Sequence, residues 1–423
     1  MNNIYKINNI FSLTFAILLS LIVLPSIVRI AFNTSSFSAG LMVNVIIVIL
    51  YGLAFIDRGH RIYINNLKIK ILVIILLLGL HGYVSYIFNN NFEVMRFQWS
   101  LIFSVLIFIG SIFFYKIANS WTDREAGAKL GLVYVILLAT GYIGLTGFSP
   151  FSPDGAFLPG GGKPAFFFNE PSHYALAFLP FLLLMCITSN IRSRLICIIS
   201  SVVLGLLYQS LTLLIGCALI SVLTIPIHKF LFLLMVCGLI AFIFGVDADY
   251  YFQRVKLVDE LSINLSNLVF FSGWERAVSS FYYSFGLGLG FQQFGIIEDQ
   301  GEIMAIINML THDANINVLD GGSVAPKLIG EFGIFGIIMI ICYLRLFIKT
   351  FTRIRAQIQT GKHYTANYYY LFSLCSVIMY SIDLFVRGTG YFSSTGFIFI
   401  SSLIYISIYH SKHSYKKHLI NQG

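Results

Sequence analysis

Runs of about 20 residues almost free of charge recur from one end of this chain to the other. A bilayer core takes about 20 apolar residues per helix, so a chain with many such runs has few folds open to it. In lipid every backbone N–H and C=O must be paired within the protein, and a helix does this within one segment. Of the 423 residues 57% are hydrophobic and 11% charged, whereas soluble domains carry about a quarter charged residues. A soluble globular fold is excluded, and an all-α polytopic membrane protein is expected, with residues 1–423 forming a single integral-membrane domain. Hydropathy predicts about 12 transmembrane helices, near 11–31, 37–56, 70–88, 98–118, 128–147, 173–189, 195–208, 211–227, 230–246, 325–344, 365–386 and 392–409. The stretch 195–227 reads as two short helices broken near Tyr208-Gln209-Ser210. The single Lys6 before the first run, with no small-residue cleavage site after it, predicts a retained first helix rather than a removed leader.

Charge sets the orientation. With both termini cytoplasmic and twelve spans, nineteen of the 27 Lys and Arg fall on the cytoplasmic side, as the positive-inside rule requires. Merging 195–227 into one helix would send the basic residues at 345–362 and the C-terminal lysines outward. Eight cations remain outside: Arg29, Arg96, Lys163, Arg254, Lys256, Arg276, Lys327 and Arg387. Fifteen of the 18 acidic residues lie on that side or in the outer ends of helices. The net charge of +9 therefore reflects topology; bases interleaved with stacking aromatics are missing, and no nucleic-acid partner is expected. The two larger extracytoplasmic loops, about 148–172 and 247–324, hold most of the polar chemistry. The inner loops are short, basic and without a phosphate-binding glycine loop. All six cysteines sit in apolar segments, with neither a zinc spacing nor a disulfide framework.

Polar residues are concentrated in a few places at the outer ends. Asn169-Glu170-Pro171-Ser172-His173 puts a carboxylate, a helix-starting proline, a hydroxyl and an imidazole at the mouth of the sixth span. Asn169 or Glu170 is expected to be the N-cap, with Pro171 in the first turn. The free N–H groups and the positive end of that helix would face outward, an arrangement suited to phosphate. Gly160-Gly161-Gly162-Lys163 precedes it as a loop with one cation. In the second loop, His312-Asp313 pairs an imidazole near neutral pKa with a carboxylate, the makings of a general base. Gly321-Gly322-Ser323 then leads to Lys327 at a loop-to-helix junction. Arg276, beside Trp274 and ahead of Gly286-x-Gly288-x-Gly290, is the first choice among outer cations for an anionic group, since arginine binds phosphate in two-pronged fashion. Arg254 lies in Tyr250-Tyr251-Phe252-Gln253-Arg254-Val255-Lys256, a pattern that predicts a helix on the membrane surface. The glycine triplet follows no strand, so it reads as a turn for close backbone approach. Asp383 and Arg387, at i and i+4, are expected to form an ion pair. His81 reads as structural, and Arg29 as a headgroup anchor.

The block Phe167-Phe168-Asn169-Glu170-Pro171-Ser172-His173-Tyr174-Ala175 resembles the glutamate-proline-serine signature of bacterial O-antigen polymerases, relatives of the O-antigen ligases. Arg276, the glycine triplet, His312 and Leu328-Ile329-Gly330-Glu331-Phe332-Gly333 follow in the same order as in that family. The resemblance implies a metal-independent glycosyltransferase of the bacterial inner membrane, with its active site facing the periplasm. Its donor would be a glycan on undecaprenyl pyrophosphate, its acceptor a lipid-linked repeat unit, and no cofactor is needed because the donor carries its own leaving group. Chain-length regulators and flippases are the protein partners implied, alongside membrane lipid. By position, His312 would be the base, with Glu170 and His173 as further catalytic candidates. Arg276 would hold the pyrophosphate, and Lys163, Arg254 and Lys327 are further cations for it. Two other readings stand beside this one: an O-antigen ligase delivering the glycan to lipid A-core, and a lipid-linked oligosaccharide flippase. Charge gathered at the outer ends of spans rather than at midplane weighs against the flippase.

Overall fold

The computed structural model describes residues 12–32, 34, 36–55, 61–150, 164–226, 229, 235, 238, 265–297, 300–311, 318–359 and 367–420. Fourteen helices and no strand are found among them: α1 (Leu13–Ala31), α2 (Ser38–Phe55), α3 (Arg61–Phe88), α4 (Val94–Asn119), α5 (Asp123–Gly144), α6 (Pro171–Thr188), α7 (Ile191–Leu207), α8 (Leu211–Thr224), α9 (Leu265–Tyr283), α10 (Glu302–Thr311), α11 (Val324–Phe332), α12 (Ile334–Gln359), α13 (Tyr368–Phe385) and α14 (Ser394–Ile420). Seven are long and apolar enough to cross a bilayer: α1, α3 from Leu67 on, α4, α5, α6, α12 and α13. The α2 and α8 helices are shorter and apolar. Of the span expected at 230–246 only residues 235 and 238 are described, and the surface helix expected at 250–258 lies outside the described residues.

The break expected near Tyr208-Gln209-Ser210 is present. Gln209 takes a left-handed φ of 53°, and Ser210 accepts from the Leu213 N–H to start α8. A second break was not expected. The predicted span 325–344 divides at Gly333, whose φ is 56°, into the nine-residue α11 and the 26-residue α12. The long apolar helix thus begins at Ile334 and runs on to Gln359, beyond the predicted end. Hydropathy averages over such a kink, because Gly333 is flanked by Phe332 and Ile334 and the apolar run is unbroken.

Helices α6 and α13 form the centre of the bundle. In each, 78% of the most apolar window is buried, against 17% for α3 and 22% for α12. Sequence explains the contrast. Each buries one large side chain after another, as at Tyr174, Phe178, Leu179 and Phe181 on α6 and Tyr369, Tyr370, Phe372 and Cys375 on α13. Phe181 and Phe372 meet at 4.8 Å between ring centroids. Elsewhere small residues bring helices together, as expected where lipid removes any hydrophobic drive between them. A β-carbon on Gly40 would come within 2.7 Å of the Pro25 backbone, and Ser401 donates to Ser111 at 3.0 Å between α14 and α4.

One end of the bundle carries the starts of α2, α4, α6, α8, α12 and α14 and the ends of α1, α3, α5, α7 and α13. Glu170 lies at this end. The opposite end holds Lys129, which donates to Thr14 at 2.9 Å and sits 4.8 Å from the Trp121 ring. Arg194 is there too, buried and donating to the Cys186 carbonyl at 2.6 Å. Both are structural cations.

Candidate functional site

Pro171 fixes the first turn of α6, and Glu170 is its N-cap. The Glu170 carboxylate does not cap the helix, however: it makes no bond to the first-turn N–H groups. It accepts instead from the Ser172 hydroxyl at 2.9 Å and from Arg387 Nη2 at 3.1 Å. This corrects the expected Asp383–Arg387 pair. The α13 helix ends at Phe385, so Arg387 has left the helical register that would place it over Asp383. Asp383 turns inward and accepts from the Thr389 N–H at 2.9 Å and from the Thr395 hydroxyl. The Arg387 guanidinium keeps a buried Nε with no partner.

Three further groups surround this pair. His173, one turn into α6, is 7% exposed, and its Nδ1 has no hydrogen-bond partner. The Phe37 ring and the imidazole meet at right angles at 4.9 Å, and the Arg29 guanidinium lies over the Phe37 ring at 4.6 Å. Arg29 therefore belongs to the group as a cation stacked on an aromatic ring, and reading it only as a headgroup anchor missed that. Burial pushes the Glu170 carboxyl up. It is outweighed by His173 when protonated, by Arg387, by the Ser172 hydroxyl and by Arg29, and the pKa falls to about 2. Glu170 is an ionised carboxylate at every physiological pH.

The second loop closes over the same end. Gly388 donates to the Gly322 carbonyl at 2.9 Å, locking the turn before α11 onto the turn after α13. Lys327, buried on α11, donates to the Leu319 carbonyl at 3.1 Å, lies 3.8 Å from the Asp320 carboxylate and stands 5.3 Å from the Tyr391 ring. Lys327 and Arg387 thus flank one junction. Arg276 is placed differently. Its guanidinium donates to the Ser272, Val318 and Asp320 carbonyls and lies 5.0 Å from the Phe294 ring. Burial lowers its pKa to about 10, with Asp320 and Glu275 opposing the fall. The neighbouring Glu275 accepts from the N–H groups of Glu302 and Ile303 and so caps α10. Residues 275 and 276 together pin α10 and the 318–320 turn to α9.

The glycine triplet behaves as its spacing suggests. Gly286, Gly288 and Gly290 all have positive φ, and a β-carbon on Gly288 would collide with the Glu331 carbonyl. Backbone bonds from Leu289 to Gly330 and from Gly290 to Glu331 hold this turn on the end of α11. Buried Glu331 accepts from the Phe294 N–H. Desolvation raises its pKa, against the pull of Lys327.

His312, Lys163 and Arg254 lie outside the described residues. His312 falls in the segment between Thr311 and Val318, the residue whose carbonyl Arg276 holds. Among the described residues no group of His, Cys, Asp and Glu has the makings of a metal site. Of the expected site residues, the structure gathers Glu170, His173 and Lys327 at one end and adds Arg29 and Arg387. Arg276 joins them through the 318–323 turn rather than by direct contact. Comparison of the chain with protein-family models, with curated proteins and with solved structures gives no match.

Proposed function

We propose that this protein is a glycan polymerase acting on polyprenyl-pyrophosphate-linked repeat units, as its resemblance to the O-antigen polymerases implies. The observation that supports this most is the convergence of Arg29 and Arg387 around an ionised carboxylate and a buried imidazole, with Lys327 at the adjoining turn. That group sits at one end of an apolar bundle. Charged groups in such a place are unfavourable unless function retains them. Cations there suit a pyrophosphate whose polyprenyl tail stays in lipid.

In the reaction, an acceptor hydroxyl oxygen attacks the anomeric carbon of the donor glycan. The bond from that carbon to the pyrophosphate oxygen breaks, and undecaprenyl pyrophosphate leaves. Stabilising charge on the leaving group lowers the barrier, which is the part given to the arginines and Lys327. The hydroxyl proton needs a base. Glu170, with its pKa near 2, is too weak a base at neutral pH and serves to position the cations. The resemblance gives that role to His312, and the His173 imidazole, with its unpartnered Nδ1, is the other candidate. Working at the periplasmic face of the inner membrane, the enzyme takes its fuel from the donor's own pyrophosphate.

The test is a deletion strain examined by glycan gel. Loss of the ladder with single-repeat product retained is the expected result. An unchanged ladder sinks the proposal, and loss of the single-repeat product as well would assign a ligase instead. Purified protein that extends lipid-linked repeats without a membrane gradient would exclude a flippase.

A further inference from the structure

Phe285 is the most exposed large hydrophobic side chain among the described residues, at 95%. It also holds a left-handed φ of 52°, a conformation that bulky side chains rarely adopt. Tyr282, at 76% exposed, and the half-exposed Tyr283 flank it. In water such a tip combines backbone strain with unburied apolar surface and gains nothing.

The backbone of the turn points to a different solvent. Every N–H from Ser284 to Gly290 has a partner within the protein. Ser284 bonds the Ser280 carbonyl, Phe285 that of Tyr282, Gly286 that of Phe281 and Leu287 that of Ser284. Gly288 donates to the Ser284 hydroxyl at 2.8 Å. Leu289 and Gly290 donate to the carbonyls of Gly330 and Glu331. Two carbonyls of the turn are held across to neighbouring helices as well: Gly286 accepts from Ile334, and Leu287 lies 2.9 Å from His81 Nε2. A surface loop in water leaves such groups to solvent. Non-helical backbone in contact with lipid cannot.

Two contacts set the depth. His81 lies seven residues before Phe88, the end of α3, which is about 10 Å along a helix axis at about 1.5 Å per residue. Ile334 is the first residue of the α12 span. On both sides the turn is flanked by exposed apolar side chains, Leu80 and Tyr83 on α3 and Phe335 and Ile338 on α12. We propose that the 284–290 turn is a re-entrant tip seated in the acyl boundary of the leaflet at the Glu170 end, with Phe285 against lipid chains. His81 is the imidazole that makes the dip tolerable by taking up the Leu287 carbonyl. This inference stands apart from the proposed reaction and survives if that reaction proves wrong.

The test uses the full chain in phosphatidylcholine vesicles, with its six native cysteines replaced by alanine and one nitroxide attached at a time. Phe285→Cys is the reporter, Leu76→Cys on the exposed face of α3 is the lipid reference, and Asn90→Cys in the loop after α3 is the water reference. Collision rates with oxygen, which concentrates in lipid, and with a water-soluble nickel chelate are compared by power saturation. The expected oxygen-to-nickel ratio at 285 matches that at 76 and exceeds that at 90 several-fold. A ratio at 285 equal to that at 90 overturns the proposal. Adding His81→Phe, which keeps a ring and loses the donor, should raise nickel contact at 285. Unchanged contact there removes His81 from the account.

Discussion

Arg276 and Arg387 are both buried or half-buried cations at the same end of the bundle, and they are held in opposite ways. Arg276 donates to three backbone carbonyls and lies on a phenylalanine ring. Its partners are parts of the fold, and releasing any of them orphans a polar group. Arg387 has one carboxylate partner and an Nε with none. Its partner is a side chain that can swing aside, and the guanidinium keeps donor capacity for a ligand. A cation fixed by the backbone builds a site; a cation balanced by a carboxylate can exchange that partner for another anion. On this comparison, if the proposed reaction holds, Arg387, with Arg29 near it, is the favoured pyrophosphate cation, while Arg276 holds the 318–320 turn.

The largest expected effect breaks or keeps that division. Arg276→Ala should destabilise the protein by roughly 3 kcal/mol or more, because several buried acceptors lose their donor at about 1–3 kcal/mol each. Thermal unfolding in detergent checks it. Arg276→Lys should recover little, since an ammonium cannot span carbonyls that a planar fork reaches. If Arg276→Ala unfolds at the wild-type temperature yet no longer extends glycan, Arg276 is a ligand-binding group and the comparison fails. Arg387→Ala should abolish the glycan ladder while lowering stability by only about 1 kcal/mol, as a partly exposed pair does. A normal ladder in that variant removes Arg387 from the site.

Smaller effects separate two carboxylates, the partly buried Glu170 and the buried Glu331. The folded-state pKa of Glu170 is about 2 against an ordinary 4.5, so its ionised form favours the fold. Its contribution is complete above pH 4.5 and is lost as pH falls toward 2. Glu170→Gln should therefore be less stable than wild type at neutral pH, with the difference shrinking on acidification through that window. Glu331 has the reverse sign: its pKa is raised by burial, so ionising it opposes folding. Glu331→Gln should match or exceed wild-type stability at neutral pH. A clear loss there would mean that its attraction to Lys327 outweighs its desolvation.

Much of the architecture was readable from local pattern. Apolar run length marked the long helices, and Tyr208-Gln209-Ser210 marked a break. Glu170-Pro171 marked a helix start, and the glycine triplet marked a close backbone contact. The site was less readable because its bonds join distant segments. No local signal connects Glu170 to Arg387. The i, i+4 spacing of Asp383 and Arg387 misled because the helix stops two residues before the arginine. Arg29 gave one usable sign: it is an outward cation at the end of a span, followed by the aromatic Phe37, and its partner became visible only with α6 in place. The partners of Arg276 were not readable, because nothing in a sequence shows which carbonyls a guanidinium will meet.

The bond between Glu170 and Arg387 closes across 217 residues, which bears on how the protein is made. Glu170 leaves the ribosome with the sixth helix, and its counter-charge follows only after the thirteenth. Until then the Glu170 carboxylate has Arg29 and Ser172 to favour its charge but lacks its direct ion-pair partner. A chain cut anywhere before Arg387 would insert most of its helices and still lack the group of charges described above. This group of charges is therefore completed only near the end of translation.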